Sequence, residues 1–209
     1  MPGRIIETDA DVAEGAAWLA RLDPRFAMAL ERTGPLPLRR KPDGFAELFS
    51  AIVSQQVSTA SARSIWGRVE AMGATSAGAV RDCTDDDLRS CGLSRQKIAY
   101  ARAIAESGVD FDGLRDLPTE EVIATLVRIK GVGVWTAEIY AMFSLGRADV
   151  FAPGDLALQQ AARSLFDLDG RPTEKVLREM SLAWSPWRSV AARLLWAWYH
   201  IEHKREGIR

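Results

Sequence analysis

From Phe45 the apolar positions Phe45, Leu48, Phe49, Ile52 and Val53 recur at the i, i+3, i+4, i+7, i+8 spacing of a helix with one buried face. The same period predicts helices around Val12 to Leu22, around Phe26 to Arg32 after the break at Asp23-Pro24, over the stretch bearing Ile65, Trp66, Val69 and Met72, and over Arg95 to Ser107 with Ile98, Ala101 and Ala105 as its stripe. Start signals agree with the pattern. Thr84 with Asp87 reads as a capping pair for a short helix before Gly92, Ser94 and Thr173 read as N-caps, and Glu120 and Glu121 sit in the first turn of a helix opened by Leu117-Pro118-Thr119. Ser185-Pro186 predicts the start of the last helix, with Pro186 at its first position. No segment alternates with period two over the length of a strand, so the pattern predicts an all-α fold of about ten helices. Thr33 to Gly44, dense in Gly and Pro, predicts a linker crossing between two lobes.

Three interruptions of this pattern carry candidate chemistry. Gly131-Val132-Gly133 separates one amphipathic helix from another that runs through Ser144. Two glycines one residue apart predict a tight hairpin with unusual dihedrals, whose amides can approach another surface without Cβ interference. Those amides lie at a helix N-terminus, where unsatisfied N–H groups and the macrodipole favour an anion, and a phosphate is the expected partner. A helix corner that needs glycine only for its turn would carry the same residues. Pro153-Gly154-Asp155 then places Asp155 as the N-cap of a helix over Leu156 to Phe166, a position that also suits a fixed negative charge for catalysis. Gln55-Gln56 breaks a strongly apolar helix, and burying two amides without partners is expensive, so this turn is expected to face solvent or a bound partner.

In this order, Ile52-Val53-Ser54-Gln55-Gln56-Val57-Ser58, Gly131-Val132-Gly133-Val134-Trp135-Thr136-Ala137, Val150-Phe151-Ala152-Pro153-Gly154-Asp155 and Trp184-Ser185-Pro186-Trp187-Arg188-Ser189 resemble the HhH-GPD superfamily of DNA base-excision glycosylases. Within it the likeness is to the alkylated-purine branch of DNA-3-methyladenine glycosylase II. The resemblance implies a central lobe over residues 45–150 containing the helix-hairpin-helix. A second lobe would be built from residues 1–44 and 151–209, with Asp155, Trp135 and Trp196 in the cleft between. It makes Asp155 the catalytic aspartate, which stabilises positive charge at C1′ and can activate the attacking water. Trp135 stands where lyase members carry a Schiff-base lysine, which implies a monofunctional enzyme that hydrolyses the glycosidic bond and leaves an abasic site. Trp135 and Trp196 would form the pocket for a flipped, cationic base such as 3-methyladenine or 7-methylguanine.

The same resemblance assigns DNA contacts to Gln55, Gln56, Gly131, Val132, Gly133, Val134 and Thr136, with Gln56 filling the gap left by the flipped base where some relatives have Leu. It places a weakly held Na or K ion on the backbone carbonyls of Val127, Ile129 and Val132 when DNA is bound, and requires no cofactor. The partner is double-stranded DNA with alkylated bases, bound by a monomer. A related glycosylase for deaminated or oxidised bases is an alternative. A non-catalytic helix-hairpin-helix module is another, although a pure binder has no need of an acidic group facing DNA.

Composition changes this picture in two places. The chain has 209 residues, 47% of them hydrophobic, enough for a real core, and no run approaches the ~20 apolar residues of a membrane span. Its acidic, interrupted start is unlike a secretory signal, so an intracellular location is expected, cytoplasmic in a bacterium or nuclear in a eukaryote. Cys83 and Cys91 alone exclude a four-cysteine iron–sulfur or zinc site and read as half-buried thiols. The net charge of -1 works against a nucleic-acid binder. The objection weakens if charge is segregated, and Asp82, Asp85, Asp86 and Asp87 do cluster away from Arg39-Arg40-Lys41, Arg95, Lys97, Arg102 and Lys130. Of Trp184, Trp187, Trp196 and Trp198, most are expected in the core. Arg188 reads as a structural pair or phosphate contact, and His200 and His203 as surface groups near a helix end.

Overall fold

A computed structural model describes residues 1–206, with side chains through residue 202. Among the described residues there are twelve α-helices and two short 3-10 turns, and β structure is confined to an isolated bridge between Ile5 and Arg147. No described helix is long and apolar enough to cross a membrane. The chain divides into two compact units, Lys41–Tyr140 with Met1, and Pro2–Arg40 with the chain from Ala141 onward.

The first two helices, α1 (Asp9–Leu22) and α2 (Pro24–Thr33), open the chain. α1 starts earlier than its apolar period predicts because Thr8 closes a capping box. The Thr8 hydroxyl accepts from the Asp11 amide at 3.3 Å, and the Asp11 carboxylate accepts from the Thr8 amide at 2.9 Å.

The 41–140 unit holds α3 (Phe45–Ser54), α4 (Thr59–Ala71), α5 (Ala77–Asp82), α6 (Asp85–Ser90), α7 (Arg95–Glu106) and α8 (Thr119–Leu126). α9 (Val134–Phe143) runs from this unit into the other. The predicted stripe of α3 is buried at Leu48, Phe49, Ile52 and Val53, and α7 supplies Ile98, Ala101, Ile104 and Ala105. Each large apolar side chain so removed from water contributes about 1.5–3 kcal/mol, which outweighs the helix propensities of these short segments. Phe49 meets Trp66 edge-on at 5.5 Å. Cys91 is buried and Cys83 partly so, and both are free thiols. Burial pushes the Cys91 thiol up, which marks it as inert core.

The remaining unit adds α10 (Leu156–Phe166), α11 (Glu174–Ser181) and α12 (Arg188–Glu206) to α1 and α2. Trp184 anchors an aromatic cluster with Phe26, Phe151 and Phe166 at centroid distances of 5.5, 5.2 and 5.7 Å. Gly15 lets α1 approach α12's start so closely that a Cβ there would lie 2.6 Å from the Trp187 ring. Pro186 is not the first residue of the last helix, which begins at Arg188. The Ser185–Pro186 peptide is cis, the Trp187 amide donates to the Trp184 carbonyl at 2.8 Å, and the Ser185 hydroxyl donates to Asp149, so this segment is a turn.

The unit boundaries fall at 40/41 and 140/141, where the motif order placed them at 44/45 and 150/151. The reason lies in the N-terminal segment. Ile6 donates to the Gly146 carbonyl at 2.7 Å, Ala148 donates to the Arg4 carbonyl at 3.0 Å, and Arg40 donates to the Phe143 carbonyl at 3.0 Å. These bonds fasten the chain after Tyr140 to residues 2–40. Lys41, by contrast, pairs with Glu47 of α3 at 2.6 Å.

Candidate active site and hairpin

Asp155 leaves the Pro153-Gly154 turn with its own amide donating to the Ala152 carbonyl at 3.0 Å, and it caps α10. Its Oδ1 accepts from the amides of Ala157 at 2.9 Å and Leu158 at 3.1 Å, the geometry of an N-cap. A third donor comes from another element. The indole N–H of Trp196, on α12, reaches the same oxygen at 3.3 Å. Trp196 is 9% exposed and lies against Phe143 with ring centroids 5.8 Å apart. Phe143 in turn lies 4.8 Å under the guanidinium of Arg193.

Arg193 is the buried post of this arrangement. It is 1% exposed and donates to the Leu38 carbonyl at 2.9 Å and to the Ser189 carbonyl and hydroxyl at 2.9 and 2.6 Å. Burial first, then Arg39 and Arg40, push its pKa down to about 10, so it remains a cation at neutral pH. The packing order Arg193, Phe143, Trp196, Asp155 therefore runs from a buried charge, whose three nitrogens each donate a hydrogen bond, to the carboxylate. Sequence reasoning had no signal for Arg193, because the Leu38 carbonyl that it needs lies far away along the chain.

The hairpin joins α8 to α9. Val132 donates to the Ile129 carbonyl at 3.0 Å, and Ala137 donates to the Gly133 carbonyl at 3.0 Å, so the amides of residues 134–136 form the first turn of α9. Only one of the two glycines is forced by conformation. Gly131 has φ +94, and a Cβ there would lie 2.2 Å from the Tyr100 ring, whereas Gly133 has ordinary φ and nothing within 4 Å of a Cβ position. The unusual dihedral expected of the hairpin is found at Gly131 and not at Gly133. Val134 and Trp135 are 46% and 42% exposed.

Two residues expected to touch DNA also make bonds inside the fold. The Gln55 side-chain amide donates to the Gly131 carbonyl and to the Thr136 hydroxyl, both at 3.4 Å, and Thr136 is 3% exposed. Gln55 thus ties the end of α3 to the hairpin, which supplies the partners that a half-buried amide needs. The Val132 side chain is also buried, which leaves only its backbone available to a ligand. Gln56 differs from its neighbour. It is exposed and has φ +57, a left-handed conformation held without glycine, and the Lys97 ammonium donates to the Val53 carbonyl at 2.6 Å just before it. Gln55, Gln56, Ser94, Lys97, Tyr100 and Gly131 line a cavity of about 130 Å³ beneath this turn.

The other candidates settle into structural roles. Arg188 donates from Nε to Asp149 at 2.6 Å. Burial works to raise the Asp149 carboxyl, but the bonds from Arg188 and Ser185 outweigh it and hold the group below its ordinary value. Trp184, Trp187 and Trp198 are core. His200 is exposed, and the side chain of His203 lies outside the described residues. Among the described residues no group of three His, Cys, Asp or Glu side chains could hold a metal ion.

Residues 49–186 match the model of the HhH-GPD superfamily of base excision DNA repair proteins. DNA-3-methyladenine glycosylase 1 of Schizosaccharomyces pombe is 30% identical over 190 residues, covering 85% of this chain and 83% of that protein. A crystal structure of DNA-3-methyladenine glycosidase from Bacillus halodurans superposes with a TM-score of 0.82 at 35% identity, covering 96% of this chain and 94% of the other. The 3-methyladenine DNA glycosylase of S. pombe in complex with abasic DNA superposes with a TM-score of 0.76 at 31% identity, covering 88% of this chain and 95% of the other.

Proposed function

Because the chain belongs to the HhH-GPD superfamily of base excision DNA repair proteins, we propose that it is a monofunctional DNA glycosylase. It acts as a monomer on duplex DNA, flips out alkylated purines, 3-methyladenine and 7-methylguanine, and hydrolyses their bond to deoxyribose. The observation that carries this reading is the Asp155 carboxylate, fixed at the N-terminus of α10 by two amides and an indole N–H.

In the reaction the C1′–N bond breaks with its electron pair going to the base, so an N-alkylated purine that enters as a cation leaves neutral. The deoxyribose then carries positive charge at C1′, and a carboxylate that needs no reorganisation stabilises it more than it stabilises the neutral ground state. Water adds to C1′, and its proton passes through the carboxylate to solvent. Trp135 offers an indole face that attracts a cationic base by about 0.5–2 kcal/mol. With Trp at this position there is no amine to form a Schiff base, and the product is an abasic site. Amides of residues 131, 133, 134 and 136 receive a phosphate beside the Val132 backbone, and Gln56 enters the space left by the flipped base.

No cofactor is needed for these steps. The carbonyls of Val127, Ile129 and Val132 would hold a Na or K ion. Neutral hard oxygens suit such an ion, and the Ile129 carbonyl, which accepts one bond from Val132, keeps a second lone pair. When bound, the ion would add positive charge beside a phosphate. The test of the function is to incubate the protein with duplexes carrying methylated purines, hypoxanthine or ethenoadenine and to identify the free bases. Release of 3-methyladenine and 7-methylguanine is expected. Release of hypoxanthine alone, or of no base, would overturn the assignment.

A further inference from the structure

We propose that Gln159 is a positioning residue for Asp155, its side-chain amide clasping the carbonyl of Pro153 and so fixing the Pro153-Gly154-Asp155 turn on α10. The proposal rests on the reading of Asp155 as the catalytic carboxylate.

Gln159 sits on the buried face of α10 with Leu158, Ala161 and Ala162 as neighbours in sequence, and it is 7% exposed. An amide in that position costs free energy unless it is hydrogen-bonded. Its Nε2 donates to the Pro153 carbonyl at 2.8 Å. The α10 ladder begins with the Gln159 backbone amide donating to the Asp155 carbonyl at 3.0 Å, so the Pro153 carbonyl lies upstream of that ladder. One residue therefore holds the turn on both sides of Gly154, by its backbone at Asp155 and by its side chain at Pro153. Gly154 is the soft joint between them. It has no Cβ, and the nearest atom to a Cβ position is a Glu174 carboxylate oxygen at 3.4 Å.

Removing the side-chain bond leaves the N-cap and the Trp196 contact in place but frees the glycine joint to move the carboxylate relative to the sugar. A displacement of about 1 Å in a catalytic group is enough for rate losses on the order of 10²-fold. On α10 the charged residues one turn from Gln159 are Asp155 and Arg163, and Glu174 of α11, which pairs with Arg178 at 2.9 Å, lies beside Gly154. From α12 the turn receives the neutral indole N–H of Trp196.

Two variants test the clasp. Gln159→Met keeps length and apolar contact but has no donor. Gln159→Glu keeps shape and can donate to Pro153 only while protonated, a state favoured by burial and by Asp155 one turn away. Single-turnover excision from a methylated duplex should fall at least ~10-fold in Gln159→Met, while affinity for a duplex with a non-cleavable abasic analogue stays within about 2-fold of wild type. Gln159→Glu should recover toward the wild-type rate measured at the same pH as pH is lowered from about 8 to about 6. A wild-type rate in Gln159→Met, an equal loss of DNA affinity, or a Gln159→Glu deficit that does not change with pH would each overturn the proposal. Asp155→Asn measured alongside separates the two ideas. If that variant is inactive while Gln159→Met is fully active, the catalytic assignment stands and the clasp falls; if Asp155→Asn is fully active, the catalytic assignment itself fails.

Discussion

Asp11 and Asp155 both sit at helix starts, yet they are held in different ways. Asp11 spends its Oδ2 on its own segment, accepting from the Thr8 hydroxyl at 2.8 Å and from the amides of Thr8 and Glu7 at 2.9 and 3.1 Å, while its Oδ1 pairs with Arg4. The Thr8 hydroxyl first, then the amides of Glu7 and Thr8, lower its pKa to about 2. A carboxyl whose folded value lies below the ordinary ~3.9 stabilises the fold fully above about pH 4, and the contribution is lost as pH falls through the folded value. Asp11→Asn should therefore melt below wild type at about pH 7, and the gap between the two should narrow as pH is taken down toward about 2.5. A gap of constant size across that range would show that the ionised carboxylate is not what the cap contributes. Asp155 uses its Oδ1 to start α10, and the same oxygen meets Trp196 from α12, so its direction is set by two elements rather than one.

Among the elements, the hairpin gives the sharpest contrast between neighbouring positions. A side chain at 131 must adopt a left-handed φ, costing roughly 1–2 kcal/mol, and must also displace the Tyr100 ring, costing ~1–3 kcal/mol more. One at 133 meets neither penalty. Gly131→Ala should lower the thermal midpoint by several degrees, whereas Gly133→Ala should melt within about 1 kcal/mol of wild type. Equal destabilisation by the two would mean that the turn is not built as described.

The helix starts that depend on neighbours a few residues away were legible in the chain. Thr84 with Asp87, Ser94, Thr173 and Asp155 all cap where their spacing to an apolar run placed them. What was not legible depends on distant partners. Gln55 looks like a solvent-facing amide until Gly131 and Thr136 are brought beside it. Gly15 looks like a weak point in a helix until Trp187 fills the space above it. Pro186 fits the first position of a helix by composition, and only the bonding of Trp187 and Ser185 shows that it lies in a turn. Gln159 carried no local signal at all, since an amide in the middle of α10 gives no hint that the carbonyl it needs is Pro153.

At the level of the whole molecule the net charge is -1, and several carboxylates and arginines neutralise one another within the fold. Asp11 and Glu14 pair with Arg4, Asp23 with Arg25, Asp43 with Arg115, Asp85 with Arg102 and Asp149 with Arg188. Those of the pairs that are exposed add at most about 1 kcal/mol each to stability. A grip through hairpin amides requires fewer cations than one made by lysine and arginine side chains alone. The division of the chain follows the same logic of distant bonds. The segment after Tyr140 belongs with residues 2–40 because Arg4, Ile6 and Arg40 bond to it, a relationship that no local pattern announces.

The proposed function places its chemistry on the Asp155 carboxylate. Asp155→Asn retains a side-chain oxygen to accept from Ala157 and Leu158 and removes the negative charge, replacing the other oxygen with an NH2 group. The direct test is single-turnover excision of 7-methylguanine by this variant, beside its affinity for a duplex containing a non-cleavable abasic analogue. Excision should fall by on the order of 10²–10³-fold while affinity remains within a few-fold of wild type. Excision at the wild-type rate would contradict the account.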